Sequence, residues 1–278
     1  MVYSWDACPT DVKSWVENVR MEIKHIVQEN FVGFYLHGSL AMGGFHPEQS
    51  DIDVLVVTKE AMDFETKKKL ILLFLSYSNK PYPLEISFLI KSELQTWHHP
   101  CSYDLHYSEF WRESYTHDVN LDTSDYLSKL TLTDRDLAAH IVITKERGIC
   151  LEGEAIQTVF PHIPRKDYLD SIMADFQDCL VKIIEDPRYS ILNMLRVYIY
   201  LKKGVVASKQ EAGKWGMDVL PQPLANTVKK VMLRKHGTKL NNEELIQIKT
   251  YLHSQVQAYI HECDYINNTI VKGATSDD

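Results

Sequence analysis

The run Ile52-Asp53-Val54-Leu55-Val56-Val57 constrains this chain more than any other. It is mostly β-branched and aliphatic, the composition of a strand buried inside a sheet. Asp51 and Asp53 stand two apart at its head, so their side chains share one face of the strand. Burying two carboxylates beside aliphatic neighbours is costly unless cations neutralise them. Hard divalent cations with oxygen ligands answer that need, and Mg²⁺ typically bridges carboxylates to the phosphates of a nucleotide.

Two neighbouring segments extend the pattern. A short strand, Val32 to Leu36, runs into His37-Gly38-Ser39, and a loop rich in Gly, Pro and Ser follows from Gly43 to Ser50. Glycine lets backbone approach a phosphate closely, and free amides with a serine hydroxyl can hold its oxygens. Glu85 lies alone between Leu84 and Ile86 in an apolar strand running to Ile90. Such a carboxylate is either exposed on a sheet edge or held for a purpose. Beside two metal-bound aspartates it could ligate an ion or take a proton from an attacking hydroxyl.

Around these segments the chain divides in character. Thr10 is a plausible N-cap for a first helix with Val12, Trp15, Val16, Val19, Ile23, Ile26 and Val27 at helical spacing. Lys59 to Ser76 reads as an amphipathic helix, so helix and strand alternate to about residue 90. Beyond about residue 130 strand signals stop. Helices are expected at Asp134–Arg147, Lys166–Glu185, Ser190–Lys203, Ser208–Val219, Leu224–Lys235 and Asn242–Ile266, separated by local Gly and Pro. The expected class is α+β: an α/β domain with a mixed sheet over residues 1–130, a helical bundle over 131–270 and a frayed tail over 271–278.

Composition limits the partners. The net charge of −8 argues against a nucleic-acid partner and favours a neutral or cationic substrate. No window approaches a membrane span and the start lacks a secretory signal. Five scattered cysteines, none spaced C-x-x-C, suit a reducing cytoplasm.

Gly38-Ser39, eleven residues, Asp51-Ile52-Asp53 and a later acidic strand residue together resemble the signature of the polymerase-β-type nucleotidyltransferase superfamily. The wider resemblance, over roughly residues 30 to 240, is to the aminoglycoside adenylyltransferases that modify streptomycin at its 3″-hydroxyl or spectinomycin at its 9-hydroxyl. Leu84-Glu85-Ile86 and Tyr107-Ser108-Glu109-Phe110-Trp111 carry it in the first half. Arg196, Ala207-Ser208-Lys209, Trp215 and Leu220-Pro221 carry it in the second. The family's phenylalanine-glycine-glutamate-tryptophan segment departs here, because Phe110 intervenes before Trp111. Lys235-His236 stands where the family often has a tyrosine for the nucleotide.

The resemblance implies AMP transfer from ATP to a hydroxyl, with two Mg²⁺ ions. It implies that Gly38, Ser39, Ser50, Arg196 and Lys209 hold the triphosphate, Asp51 and Asp53 the metal, and Glu85 the proton. Trp111, Asp186 and Tyr189 would face an aminoglycoside or aminocyclitol acceptor, bound between the halves as the bundle closes over ATP. Plainer readings stand beside these: Arg196 in a structural salt bridge, Lys209 as a first-turn helix lysine, Asp175, Asp178, Glu185 and Asp186 as a solvated face. His98, His99, Cys101 and His106 have no tight ligand spacing for zinc. Other possible functions are a nucleotide sensor without turnover, a protein-modifying transferase, a lincosamide-modifying enzyme and an RNA-tailing polymerase, the last disfavoured by the acidic balance.

Overall fold

The computed structural model describes residues 2–121, 132–233 and 240–274. Helix α1 (Thr10–Val27) buries Val12, Trp15, Val16, Val19, Ile23 and Val27, one continuous face of its turns. Pro9 rather than Thr10 takes the N-cap position, without a side-chain bond. Strand β1 (Phe31–Leu36), the one-turn α2 (Gly38–Ala41), β2 (Ile52–Thr58), α3 (Phe64–Tyr77) and β3 (Leu84–Ile90) follow. Helix α3 starts later than Lys59 because Asp63 caps it, accepting from the Thr66 amide.

Next come α4 (Lys91–Gln95), β4 (Cys101–Tyr103), β5 (Leu105–Tyr107), α5 (Arg112–Leu121), β6 (Leu132–Asp134), α6 (Leu137–Arg147) and β7 (Ile149–Gly153). The main sheet has the order β5-β3-β2-β1-β7. Among the described residues only the β2–β3 pairing of this sheet is parallel, so the sheet is mixed. Strands β4 and β6 form a separate antiparallel pair.

The chain forms two compact units, Met1–Ser171 and Ile172–Asp278. Strand structure does not stop near residue 130 as expected, and the division between these units falls later than that. Strand β7 is short and only half-buried, so it lacks the apolar alternation that marks a strand in sequence. It nevertheless pairs along β1 and ties residues 132–153 to the first unit. The division falls inside α8 (Arg165–Lys182), which follows the short α7 (Ile156–Val159).

The second unit holds α9 (Pro187–Lys203), α10 (Lys209–Val219), α11 (Gln222–Leu233) and α12 (Asn242–Ala274). Residues 271–274, expected to fray, continue α12. Helix α9 is its core, with Ile191, Leu192, Met194, Leu195, Val197 and Ile199 buried. Gly216 brings α10 close: a Cβ there would sit 2.9 Å from Leu195 Cδ1. Lys235 and His236 lie outside the described residues.

A buried ion pair pins α3 to the loop between β4 and β5. Lys67 Nζ lies 2.6 Å from Asp104 Oδ1, and Asp104 Oδ2 accepts from the Met62 amide at 2.7 Å. Asp104→Ala would leave the Lys67 ammonium buried without its counterion. It should cost about 3–5 kcal/mol in denaturant unfolding, and a loss below about 1 kcal/mol would contradict the pairing's structural weight.

Candidate active site

Parallel register sets the centre of the site. Asp53 on β2 lies directly beside Glu85 on β3. Both are partly exposed while the rest of each strand beyond them is buried. Glu85 therefore does not lie on a free sheet edge, since β3 runs between β2 and β5. Asp51 is exposed and immediately precedes β2.

Gly38 and Ser39 reach the same carboxylate from β1. The His37 amide donates to the Asp53 carbonyl at 3.0 Å, and the Ser39 amide donates to Asp53 Oδ2 at 3.3 Å. Gly38 has φ +60, and a Cβ there would fall 1.8 Å from Asp53 Oδ2. Only glycine allows this backbone to turn so close to the acid. Ser39 Oγ is buried without a hydrogen-bond partner among the described residues. Ser50 serves its own loop as well, its Oγ accepting from the His46 amide at 3.0 Å.

Near Glu85 lie His140, which sequence reading passed over, and His106, which it weighed only for zinc. His140 on α6 has Nε2 3.9 Å from Glu85 Oε1, and its ring centre lies 5.0 Å from that of His37. Burial drives the His37 pKa well below 6.5, and the neighbouring His140 charge adds to the effect. His106 Nδ1 is 2.9 Å from Ser87 Oγ, and burial lowers its pKa too, against the attraction of Glu85. Isolated histidines at positions 37, 106 and 140 carry no sequence spacing that would have joined them. His98 and His99 are engaged elsewhere, with Ser102 and Asp170.

Trp111 packs, half-buried, against the first unit's core, while Phe110 beside it is 82% exposed. Glu109, in the same segment, is tied to Ser78, Tyr107 and Arg112.

The second unit holds its own polar cluster. Arg196 donates from Nε to the Ala207 carbonyl and from Nη1 to Asn193 Oδ1, each at 3.0 Å. Lys209 opens α10 behind the Ser208–Glu211 capping box and lies 4.1 Å from the centre of the Tyr189 ring. Asp186 caps α9, accepting from the Tyr189 amide at 3.1 Å. Asp178 and Glu185 are exposed, as a solvated face requires, but Asp175 is not: it accepts from Asn193 and from the Tyr189 hydroxyl. Its place was illegible in sequence because i, i+3 and i, i+4 acids on one helix look alike.

Among the described residues no three His, Cys, Asp or Glu side chains form a ready-made metal cluster. The expected three-ligand set of Asp51, Asp53 and Glu85 is thus not preassembled. Magnesium asks for less, since it commonly takes one or two carboxylates and completes its shell with water and phosphate oxygens. Adjacent acids, an unpartnered buried Ser39 hydroxyl and a glycine cradle fit such an ion with its nucleotide.

Gly38→Ala should displace Asp53 and lower activity by about a hundredfold or more while the protein still folds, measured by turnover alongside thermal unfolding. Activity within about twofold of wild type would show that the Gly38 approach is dispensable. His37 gives a pH signature. The unfolded chain takes a proton on this histidine near 6.5, whereas the folded chain keeps it neutral to a lower pH. Its burial therefore costs nothing above the unfolded value, and stability drains as pH falls below about 6.5 toward the folded value. His37→Gln should flatten that acid-side decline in a series of unfolding midpoints from about pH 8 to about pH 5.

Residues 20–105 match the family model of the nucleotidyltransferase domain, and residues 158–261 that of the aminoglycoside adenylyltransferase C-terminal domain. The chain is 27% identical over 206 residues to a spectinomycin 9-adenylyltransferase of Staphylococcus aureus, covering 72% of this chain and 76% of that one. It is 23% identical over 278 residues to an aminoglycoside (3″)(9) adenylyltransferase of Shigella flexneri, covering 96% and 98%. Among solved structures, an Enterococcus spectinomycin adenyltransferase crystallised with ATP and spectinomycin shares the fold. Its TM-score is 0.73 at 22% identity, over 88% of this chain and 99% of that one. The chain thus carries a nucleotidyltransferase domain followed by the C-terminal domain found in aminoglycoside adenylyltransferases, and it is a nucleotidyltransferase.

Proposed function

We propose that this enzyme transfers AMP from ATP to a hydroxyl of a spectinomycin- or streptomycin-type antibiotic, with magnesium, and so confers resistance. The observation that carries the reading is the side-by-side register of Asp53 and Glu85, with Gly38 and Ser39 closing on Asp53. The named activities of the curated relatives support the acceptor class, and the net charge of −8 suits a cationic acceptor. Dependence on ATP makes the cytoplasm its place of work.

Asp51 and Asp53 would hold magnesium, with Glu85 beside them. When bound, the ion neutralises the triphosphate and steadies the departing pyrophosphate. The Ser39 hydroxyl, with Ser50, grips phosphate oxygens; Arg196 and Lys209 supply the cationic contacts. Glu85 takes the proton of the acceptor hydroxyl as its oxygen forms a bond to the α-phosphorus. The bond from that phosphorus to the bridging α–β oxygen breaks in line, and pyrophosphate leaves. For the acceptor the proposal assigns Trp111 in the first unit and Asp186 and Tyr189 in the second, the exposed Asp186 carboxylate offering charge to an ammonium group.

The test is direct. The pure protein is incubated with ATP, Mg²⁺ and a panel of aminocyclitols, aminoglycosides and lincosamides, and each product is weighed by mass spectrometry. Spectinomycin or streptomycin should gain one AMP, and chelating the metal should stop the gain. Glu85→Gln should slow turnover by about two to four decades while calorimetric ATP binding stays near wild type. A panel with no adenylylated member would remove the acceptor class, and near wild-type turnover by Glu85→Gln would remove the base.

A further inference from the structure

We infer that Asp175 is a positioning residue that holds Arg196 and Lys209 ready for the triphosphate, by two separate routes. The inference rests on reading these two cations as phosphate ligands. One route runs through Asn193, which is buried. Its amide nitrogen donates to Asp175 Oδ2, and its amide oxygen accepts from Arg196 Nη1 at 3.0 Å. The Ala207 carbonyl fixes the same guanidinium at Nε, so its orientation is set from two sides. The other route runs through Tyr189, whose hydroxyl lies 3.3 Å from Asp175 Oδ1 and whose ring lies under the Lys209 ammonium at 4.1 Å.

The two oxygens of one carboxylate thus serve two different cations. Each intermediary has one polar end on Asp175 and presents its other face, amide oxygen or aromatic ring, to the cation. Burial raises the Asp175 pKa, opposed by the positive charges of Arg196 and Lys209. Cys179 Sγ, 3.8 Å from Asp175 Oδ1, closes the cluster on the α8 side. Long cationic side chains lose rotamer freedom when they grip a phosphate, and anchoring them beforehand removes that loss from the binding step. The anchors take Nε and one Nη1 hydrogen, two of the five N–H donors a guanidinium carries, so the fork keeps further donors for a ligand.

The experiment reads binding without turnover or acceptor, on the full chain. Calorimetry with ATP–Mg²⁺ and with inorganic tripolyphosphate is run on wild type, Asp175→Ala, Asp175→Asn, Arg196→Ala, Lys209→Ala and the Asp175→Ala/Arg196→Ala pair. Asp175→Ala should weaken both probes about tenfold, and Asp175→Asn less, because one carbonyl oxygen still accepts. In the Arg196→Ala background the same change should cost under about threefold, since residues in one network do not act additively. A full tenfold cost in both backgrounds, or tighter binding from the loss of a nearby negative charge, would overturn the inference. If Asp175→Ala does not fold, Asp175→Asn and Tyr189→Phe carry the test, each expected to weaken tripolyphosphate severalfold and overturning the inference if neither does. Arg196→Ala weakening the probes while Asp175→Ala leaves them unchanged would defeat the positioning role alone. Arg196→Ala and Lys209→Ala both leaving the probes unchanged would defeat the phosphate reading and this inference with it.

Discussion

Everything at the first unit's site depends on the one parallel pairing in its sheet. Had β3 paired antiparallel to β2, or slipped by one residue, Glu85 would not sit beside Asp53 on the same face. Parallel strands need a crossover between them, and α3 provides it, pinned by the buried Lys67–Asp104 pair. The antiparallel turn from β1 to β2 then brings the Gly38–Ser39 backbone onto Asp53.

The second unit solves a different problem, that of fixing long and mobile cations. Capping does part of it: Asp186 starts α9 and the Ser208–Glu211 box starts α10, which sets where Arg196 and Lys209 leave the backbone. Asn193, Tyr189 and the Ala207 carbonyl then fix the side chains themselves. Glycine at 213 and 216 draws α10 close enough to α9 for those contacts to form.

What the two domain matches add is a meaning for this division of labour. The acids at 51, 53 and 85 and the Gly38–Ser39 turn lie within the nucleotidyltransferase match, and Arg196 and Lys209 lie within the C-terminal domain match. Residues of the segment from Tyr107 to Trp111 are mostly absorbed by packing: Glu109 is tied to Arg112 and Ser78, and Trp111 leans on the core. Phe110, where the sequence departs from the family segment, is the aromatic left open to solvent.

The sequence by itself determined the elements with strong periodicity and the residues with unusual chemistry. Strand β2, helix α1 and the helices of the second unit were legible, because local pattern and burial agree there, and Asp53 and Glu85 stood out as acids heading apolar strands. Strand β7 was not, since a half-buried edge strand has no apolar alternation to betray it, and with it went the boundary between the units. Asp175, His37 and His140 were equally silent. One acid among several on α8 becomes an anchor only because α9 lies against it, and two histidines a hundred residues apart meet only because α6 packs beside α2. Spacing along a chain encodes which face a residue takes; only the packing of one element on another decides what that face meets.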